Sequence, residues 1–108
     1  MVQGRLLIKH AVGGRTFLDS GKTDVPFTME KTSGGWVLTA QVDPGETVNE
    51  IVKWGNELNL FVFEEQLEPV VKHWYYVLEG GVSYDFSNRT LRIEAGSELV
   101  YIPDRYTW

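Results

Sequence analysis

The sequence predicts an α+β domain in which a mostly antiparallel, strongly curved sheet of eight or nine short strands carries one amphipathic helix. Two observations favour this class. Alternation of apolar and polar residues with period two recurs along most of the chain, whereas helical periodicity occurs once, after Asp43-Pro44. At 108 residues the chain suits a single domain, residues 1–108. So many strands in so short a chain indicate a roll-like or barrel-like sheet, or one that splits into two layers.

The first half predicts two hairpins. Gly13-Gly14 supplies the positive φ values of a tight turn in the first, and Ser33-Gly34-Gly35 connects the strands of the second. Pro26 has no N–H to donate, so its strand should begin there or lie at a sheet edge. The predicted strands are 5–12, 15–19, 25–30 and 36–42.

The helix has the clearest local signals. Asp43 suits the N-cap, Pro44 the first helical position, and Glu46 can complete a capping box. The predicted helix runs from about Pro44 to Leu58 and packs one side on the sheet. Gly55 lies in the apolar arc at a cost of about 1 kcal/mol relative to Ala, which predicts a close approach to a strand or a bulky side chain. The apolar arc consists of Val48, Ile51, Val52, Trp54, Gly55 and Leu58.

The second half predicts five further short strands. In the segment from Val70 to Leu78, apolar or aromatic residues occupy both odd and even positions, which is typical of a strand covered on both faces. Glu79-Gly80-Gly81 and Gly96-Ser97 are predicted to separate strands as turns. The strands are 60–63, 70–78, 82–86, 91–94 and 99–102.

Composition excludes several classes of function. The absence of cysteine excludes disulfides, thiolate metal sites and cysteine nucleophiles. The net charge of −5 is concentrated in residues 43–68, and no cluster of Lys and Arg suits phosphate, so we expect no nucleic-acid partner. The chain shows neither a signal-peptide pattern nor 18 consecutive apolar residues, so we expect a cytoplasmic protein without membrane contact.

Metal binding has little support. His10 and His73 are the only imidazoles, and a site would need both of them, or one with carboxylates such as Glu64, Glu65 or Glu79. No dense ligand spacing such as His-x-His is present. We therefore predict no metal, no cofactor and no assigned catalytic residue.

Aromatic residues cluster in the second half, and two interpretations of them stay open. If the strands that carry them pair, aromatics occupy both faces, and some stay exposed unless a subunit, a ligand or the helix covers them. Core packing is one interpretation; an interface or a ligand wall is the other. The candidate ligand or interface residues are Trp74, Tyr75, Tyr76, Tyr101, Tyr106 and Trp108, together with His73 and Glu79.

About a third of the chain resembles the C-terminal half of the conserved core of a cupin barrel. The resemblance rests on the segments 74–80, 91–95 and 97–103. It implies a barrel with a central pocket. The family's last metal-binding histidine would fall on Trp108 and its motif glycine on Ser97, and no His-x-His precedes Trp74, so the resemblance carries over no metal or catalytic residue.

Two functions follow as expectations. The first is a non-enzymatic binding or protein-interaction module with an aromatic contact surface, whose partner is another protein or a second copy in a homo-oligomer. The alternative is a small-ligand-binding or minor enzymatic barrel whose mouth is lined by His73, Tyr75, Glu79 and Tyr101. A third possibility, an acidic mimic of nucleic acid, rests on the charge of residues 43–68.

Overall fold

A computed structural model describes residues 4–65 and 70–102. Within these residues the chain forms one helix and seven strands, so the expectation of eight or nine strands is wrong. The elements in chain order are β1 (Arg5–His10), β2 (Thr16–Asp19), β3 (Phe27–Thr32), β4 (Gly35–Gln41), α1 (Glu46–Lys53), β5 (Leu58–Glu64), β6 (Val71–Asp85) and β7 (Thr90–Tyr101).

The seven strands form one antiparallel sheet in the order β2-β1-β5-β6-β7-β4-β3. Leu18 of edge strand β2 and Met29 of edge strand β3 belong to the same buried cluster, so the sheet curls into a half-barrel. The mostly antiparallel, strongly curved sheet with one helix is therefore confirmed. Both predicted hairpins form, Gly13 and Gly14 have φ values of 82° and 72°, and Pro26 precedes an edge strand.

The strand count is lower because two glycine segments predicted as turns lie inside long strands. Tyr76 pairs with Ser97 and Val77 with Ala95, so β7 has one extra residue, Gly96, at this point. The next pair, Val82 with Ile93, leaves additional residues on β6 around Gly80, whose φ is 70°. These irregularities are β-bulges, which bend a strand without ending it.

The Gly96 bulge also changes which side chains of β7 face the core. Leu91, Ile93 and Ala95 are buried in the inner cluster, so strict alternation would place residue 97 inward as well. After the extra residue, Glu98 pairs with Tyr75 and faces inward instead. A one-residue shift of this kind reverses the faces of all following side chains.

The N-terminus of α1 differs from the prediction. The helix begins at Glu46 after Gly45, which provides no side-chain cap, and the Asp43 carboxylate accepts a hydrogen bond from Arg89 at 3.2 Å instead of capping. The predicted capping box is therefore wrong. An exposed pair with the Arg89 guanidinium takes the carboxylate away from the helix amides.

The C-terminus of α1 is also earlier than predicted. Leu58 pairs with His10 as the first residue of β5, so strand pairing overrides the helical periodicity there. A Cβ placed on Gly55 would lie 3.2 Å from the Cβ of Val82, which confirms the predicted close approach. No helix in the described part of the chain is long and apolar enough to cross a membrane.

The sheet has two apolar faces. The inner, concave face holds the main core, into which α1 inserts Ile51. The outer face holds a smaller cluster of Leu7, Phe61 and Phe63, with Val70 and Trp74 half-buried against it. The expectation that 70–78 is covered on both faces holds only in part, because Tyr76 and Leu78 on the outer side are 47% and 44% exposed. The main core consists of Leu6, Ile8, Leu18, Val25, Met29, Leu38, Ala40, Ile51, Leu58, Leu60, Val62, Tyr75, Leu91, Ile93 and Ala95.

A bidentate ion pair joins the first hairpin, and its strength should depend on pH. Arg5 donates to Asp19 at 2.8 and 2.6 Å, and this hydrogen-bonded contact holds the pKa of the Asp19 carboxyl below its usual value of 3.8. A lowered pKa in the folded state stabilises the fold at neutral pH, and this contribution is lost as the pH falls below 3.8 through the folded value.

We therefore expect Asp19→Asn to lower the free energy of unfolding by about 1 kcal/mol at pH 7, and the difference from the parent to shrink as the pH falls below 3.8. Urea denaturation at a series of pH values measures both quantities. A difference that persists undiminished at pH 2 would contradict the assignment of the effect to this carboxylate. Asp24→Asn serves as a control for loss of a carboxylate, because Asp24 is exposed and has no hydrogen bond or ion pair among the described residues.

Candidate functional site

The outer face of the four central strands presents three rows of side chains that cross the sheet. Each row contains one residue from each of β1, β5, β6 and β7, because the strand registers align them. The middle row is entirely apolar. The rows are Arg5, Phe63, Lys72 and Tyr101; Leu7, Phe61, Trp74 and Leu99; and Lys9, Asn59, Tyr76 and Ser97.

The apolar surface passes without a break from buried to exposed side chains. The Trp74 ring lies 5.7 Å from the Phe61 ring and 5.2 Å from the Tyr76 ring, measured between centroids. Phe61 is 8% exposed, whereas Tyr76 is 47% exposed and Leu99 is 44% exposed. Leu78, 44% exposed, lies over Gly96 and extends this surface along β6. We call Trp74, Tyr76, Leu78 and Leu99 the outer patch.

Two lysines lie in the rows on either side of the middle row. The Lys72 ammonium lies 4.4, 5.3 and 5.2 Å from the ring centroids of Phe61, Phe63 and Tyr101. Lys9 occupies the same row as Tyr76, on the other side of the middle row. Neither lysine forms an ion pair with another residue in the described ranges. The apolar middle row thus has a lysine in the row on each side of it: Lys72 on β6, within the outer patch's own strand, and Lys9 on β1, two strands away from Tyr76.

A polar cluster lies on the inner face at the end of the same strands. The His73 ring contacts Glu64 through Nε2 at 2.6 Å and Glu98 through Nδ1 at 2.9 Å. The three residues belong to β6, β5 and β7, so the contacts connect three neighbouring strands. His73 is 8% exposed. Both ring nitrogens are therefore engaged by carboxylates, each within hydrogen-bond distance.

Tyr75 lies beside this cluster in the core. Its ring stacks on His73 at a centroid distance of 6.2 Å and meets the edge of Trp36 at 5.4 Å. Burial raises the pKa of the Tyr75 hydroxyl, and the charges of Glu98 and Glu64 raise it further, so the phenol is neutral. Glu98 is its polar neighbour, but among the described residues no group meets the geometry of a hydrogen bond to the hydroxyl.

The inner cluster is not arranged as a metal centre. Glu64 and Glu98 contact opposite nitrogens of one ring, so a single cation could not reach the ring and both carboxylates. In residues 4–65 and 70–102, no group of three suitable side chains converges on one point. The arrangement can hold a proton between the ring and the carboxylates and can connect the strands.

The structure places the candidate residues from the sequence on two opposite faces of the sheet. Trp74, Tyr76 and Tyr101 lie in the outer rows, whereas His73 and Tyr75 face inward. The proposed barrel mouth therefore does not form as one group, since Tyr101 lies on the opposite face from His73. Glu79 is exposed in the bulged part of β6. Tyr106 and Trp108 lie outside the described residues.

Two further residues deserve mention: Glu98, which the sequence does not indicate as a candidate, and His10, which lies apart from the inner cluster. Glu98 was missed because its inward orientation depends on the Gly96 bulge; the only signal was the glycine that breaks the strand pattern. His10 contacts the Trp54 ring at 5.0 Å and Glu57 at 3.3 Å, away from His73's partners.

An open cleft of about 560 Å³ lies between the β2–β3 connection and the start of α1. Its lining includes the carboxylates of Asp24, Asp43 and Glu46 and the guanidinium of Arg89. It contains none of the candidate ligand or interface residues that the sequence indicates. The mixture of charges gives it no clear chemical preference.

Comparison with known proteins adds no relative: no family model, curated protein or solved structure matches this chain. The cupin-like segments fold mainly as the hairpin of β6 and β7, at the centre of the half-barrel.

Proposed function

We propose that this chain is a non-enzymatic protein-interaction module and that the outer patch is its contact surface. The observation that carries the proposal is the group of exposed apolar side chains, Tyr76, Leu78 and Leu99, which adjoins Trp74 and, through it, the buried Phe61. Contiguous exposed apolar surface of this kind is typical of interaction sites, whereas single exposed apolar residues are common everywhere.

The support of the outer patch also suits binding. Its residues belong to the central strands of the sheet, and both the inner core and the outer cluster hold those strands in place. Aromatic rings on a rigid platform bury area with little loss of conformational entropy, which is why Trp and Tyr dominate binding energy at protein interfaces. A partner would therefore meet a preformed surface.

Site-specific photo-cross-linking tests the proposal. A benzophenone amino acid at position 76 or 99, introduced in cells that produce the protein, should give discrete cross-linked species. The same group at position 12 or 86 should give none, because Val12 and Phe86 are equally apolar and each 66% exposed but lie outside the patch. Identical products from all four positions would exclude the outer patch as the contact surface.

The substitution Leu99→Ser should leave the fold intact while it removes the contact. Because Leu99 is 44% exposed, we expect its replacement to change the free energy of unfolding by less than about 1 kcal/mol, as measured by urea denaturation. The cross-linked species formed from position 76 should disappear in this variant. Val12→Ser is the matched control and should preserve them.

A second candidate is small-ligand binding or proton transfer at the inner cluster. The observation that favours it is the buried Tyr75 hydroxyl, which has no hydrogen-bond partner in the described ranges, next to a histidine held between two carboxylates. Buried polar groups without a partner often mark functional positions or ordered water. NMR mapping of amide shift changes distinguishes this candidate from the outer patch, because binding here would shift His73 and Tyr75 and not Tyr76 and Leu99.

A further inference from the structure

We propose that the outer patch binds an acidic segment of a partner protein, whose apolar side chains cover Tyr76 and Leu99 while its carboxylates pair with Lys9 and Lys72. This inference rests on the proposed function and adds the chemistry of the partner. It follows from the distribution of charge around the patch.

The charge of the outer rows is opposite to that of the chain. The chain has a net charge of −5, yet the twelve residues of the three rows include three basic residues and no acidic one. Arg5 is already engaged with Asp19 at 2.6 Å and with Glu65 at 3.9 Å. Among the described residues neither Lys9 nor Lys72 has an ion-pair partner, so they are the positive charges of the rows that we expect a partner to engage.

The positions of the two lysines define the spacing of the partner's carboxylates. Lys9 and Lys72 lie on strands separated by β5 and in rows separated by the apolar middle row, so their backbone positions are about 16 Å apart. A bound segment therefore needs apolar residues in its centre and acidic residues on both sides of them.

Lys72 is prepared to receive a carboxylate. Its ammonium lies over aromatic rings, the nearest centroid 4.4 Å away, where little water can surround it once a partner covers the patch. A charge-assisted hydrogen bond gains strength in such a partly desolvated position. The rings also fix the ammonium at the border of the apolar surface.

A second copy of the chain fits this surface less well. Pairing of two outer faces about a twofold axis would place Lys9 and Lys72 of both copies in one interface that brings no carboxylate from the rows. Like charges in an interface reduce affinity. The charge pattern therefore favours a different, acidic partner over self-association through this face.

Selection from a displayed library of random 12-residue peptides tests the proposal on the full chain. We expect the enriched peptides to contain apolar residues flanked by Asp or Glu, and we expect Leu99→Ser to abolish their binding. If Leu99→Ser retains the bound peptides, the proposed function fails. If the peptides bind at the patch but show no excess of acidic residues, only the present inference fails.

A charge swap with one selected peptide completes the test. The double substitution Lys9→Glu and Lys72→Glu should weaken binding at least tenfold, and replacement of the peptide's acidic residues by Lys should restore it. Lys31→Glu, on edge strand β3, is the matched control and should change the affinity less than twofold. Circular dichroism and urea denaturation verify that each variant is folded. Equal affinities of the double variant and the parent would overturn the proposal.

Discussion

Gly35→Ala is expected to lower the free energy of unfolding by about 3 kcal/mol. Gly35 begins β4 with a φ of 150°, a conformation that L side chains rarely adopt. A Cβ at this position would lie 2.2 Å from the backbone carbonyl oxygen of Ala95, so two paired strands would have to separate. Urea denaturation measures the loss.

The neighbouring glycine provides the control for this prediction. Gly34 has no atom within 4 Å of an added Cβ, and its φ is not positive. Gly34→Ala should therefore change stability by less than about 1 kcal/mol. Equal effects of the two substitutions would show that the close contact of β4 with Ala95 is not what requires glycine.

His73→Leu is expected to lower the free energy of unfolding by about 2 kcal/mol at pH 7. The substitution removes both ring nitrogens and leaves the Glu64 and Glu98 carboxylates, whose side chains are 31% and 18% exposed, without their contacts to the ring. In the His73→Leu background, the further substitutions Glu64→Gln and Glu98→Gln should recover most of the lost free energy of unfolding. Thermal and urea denaturation of the single and triple variants measure both effects.

Tyr75→Phe is the control for the inner cluster. It preserves the buried ring and removes only a hydroxyl without a hydrogen-bond partner among the described residues, so stability should stay within about 1 kcal/mol of the parent. A loss from His73→Leu no larger than about 0.5 kcal/mol would contradict the assignment of a structural role to the contacts between His73 and the two glutamates.

Local chemistry predicts the hairpins of this fold well and the helix ends poorly. Gly13 and Gly14 meet a conformational requirement of their own turn, so the sequence around them suffices. The helix ends depend on distant partners. Asp43 pairs with Arg89, and Leu58 pairs with His10 across the sheet, and neither contact leaves a signal in the helical segment.

Glycines in the second half illustrate a different limit. Gly80 and Gly96 fit either a turn that ends a strand or a bulge within it, and local sequence does not distinguish the two. The choice depends on whether β6 and β7 continue to pair beyond the irregularity. The inward orientation of Glu98 depends on that choice. The local sequence around Glu98 therefore does not predict its contact with His73.

The aromatic residues of β6 were correctly predicted to occupy both faces, because alternation along one strand fixes the face of each side chain. Their neighbours were not predictable. Lys72 and Lys9 are 63 positions apart in sequence and come to one surface only through β5, which pairs with both of their strands. The positive border of the outer patch is thus a property of the strand order.

The most direct test of the outer patch as a contact surface is NMR mapping of the bound state. A ¹⁵N-labelled full chain, saturated with a peptide selected on it, should show its largest amide shift changes in the outer rows, at Lys9, Lys72, Tyr76 and Leu99. Changes centred on the inner cluster, at His73 and Tyr75, or on the cleft beside α1, with the outer rows unaffected, would contradict the account.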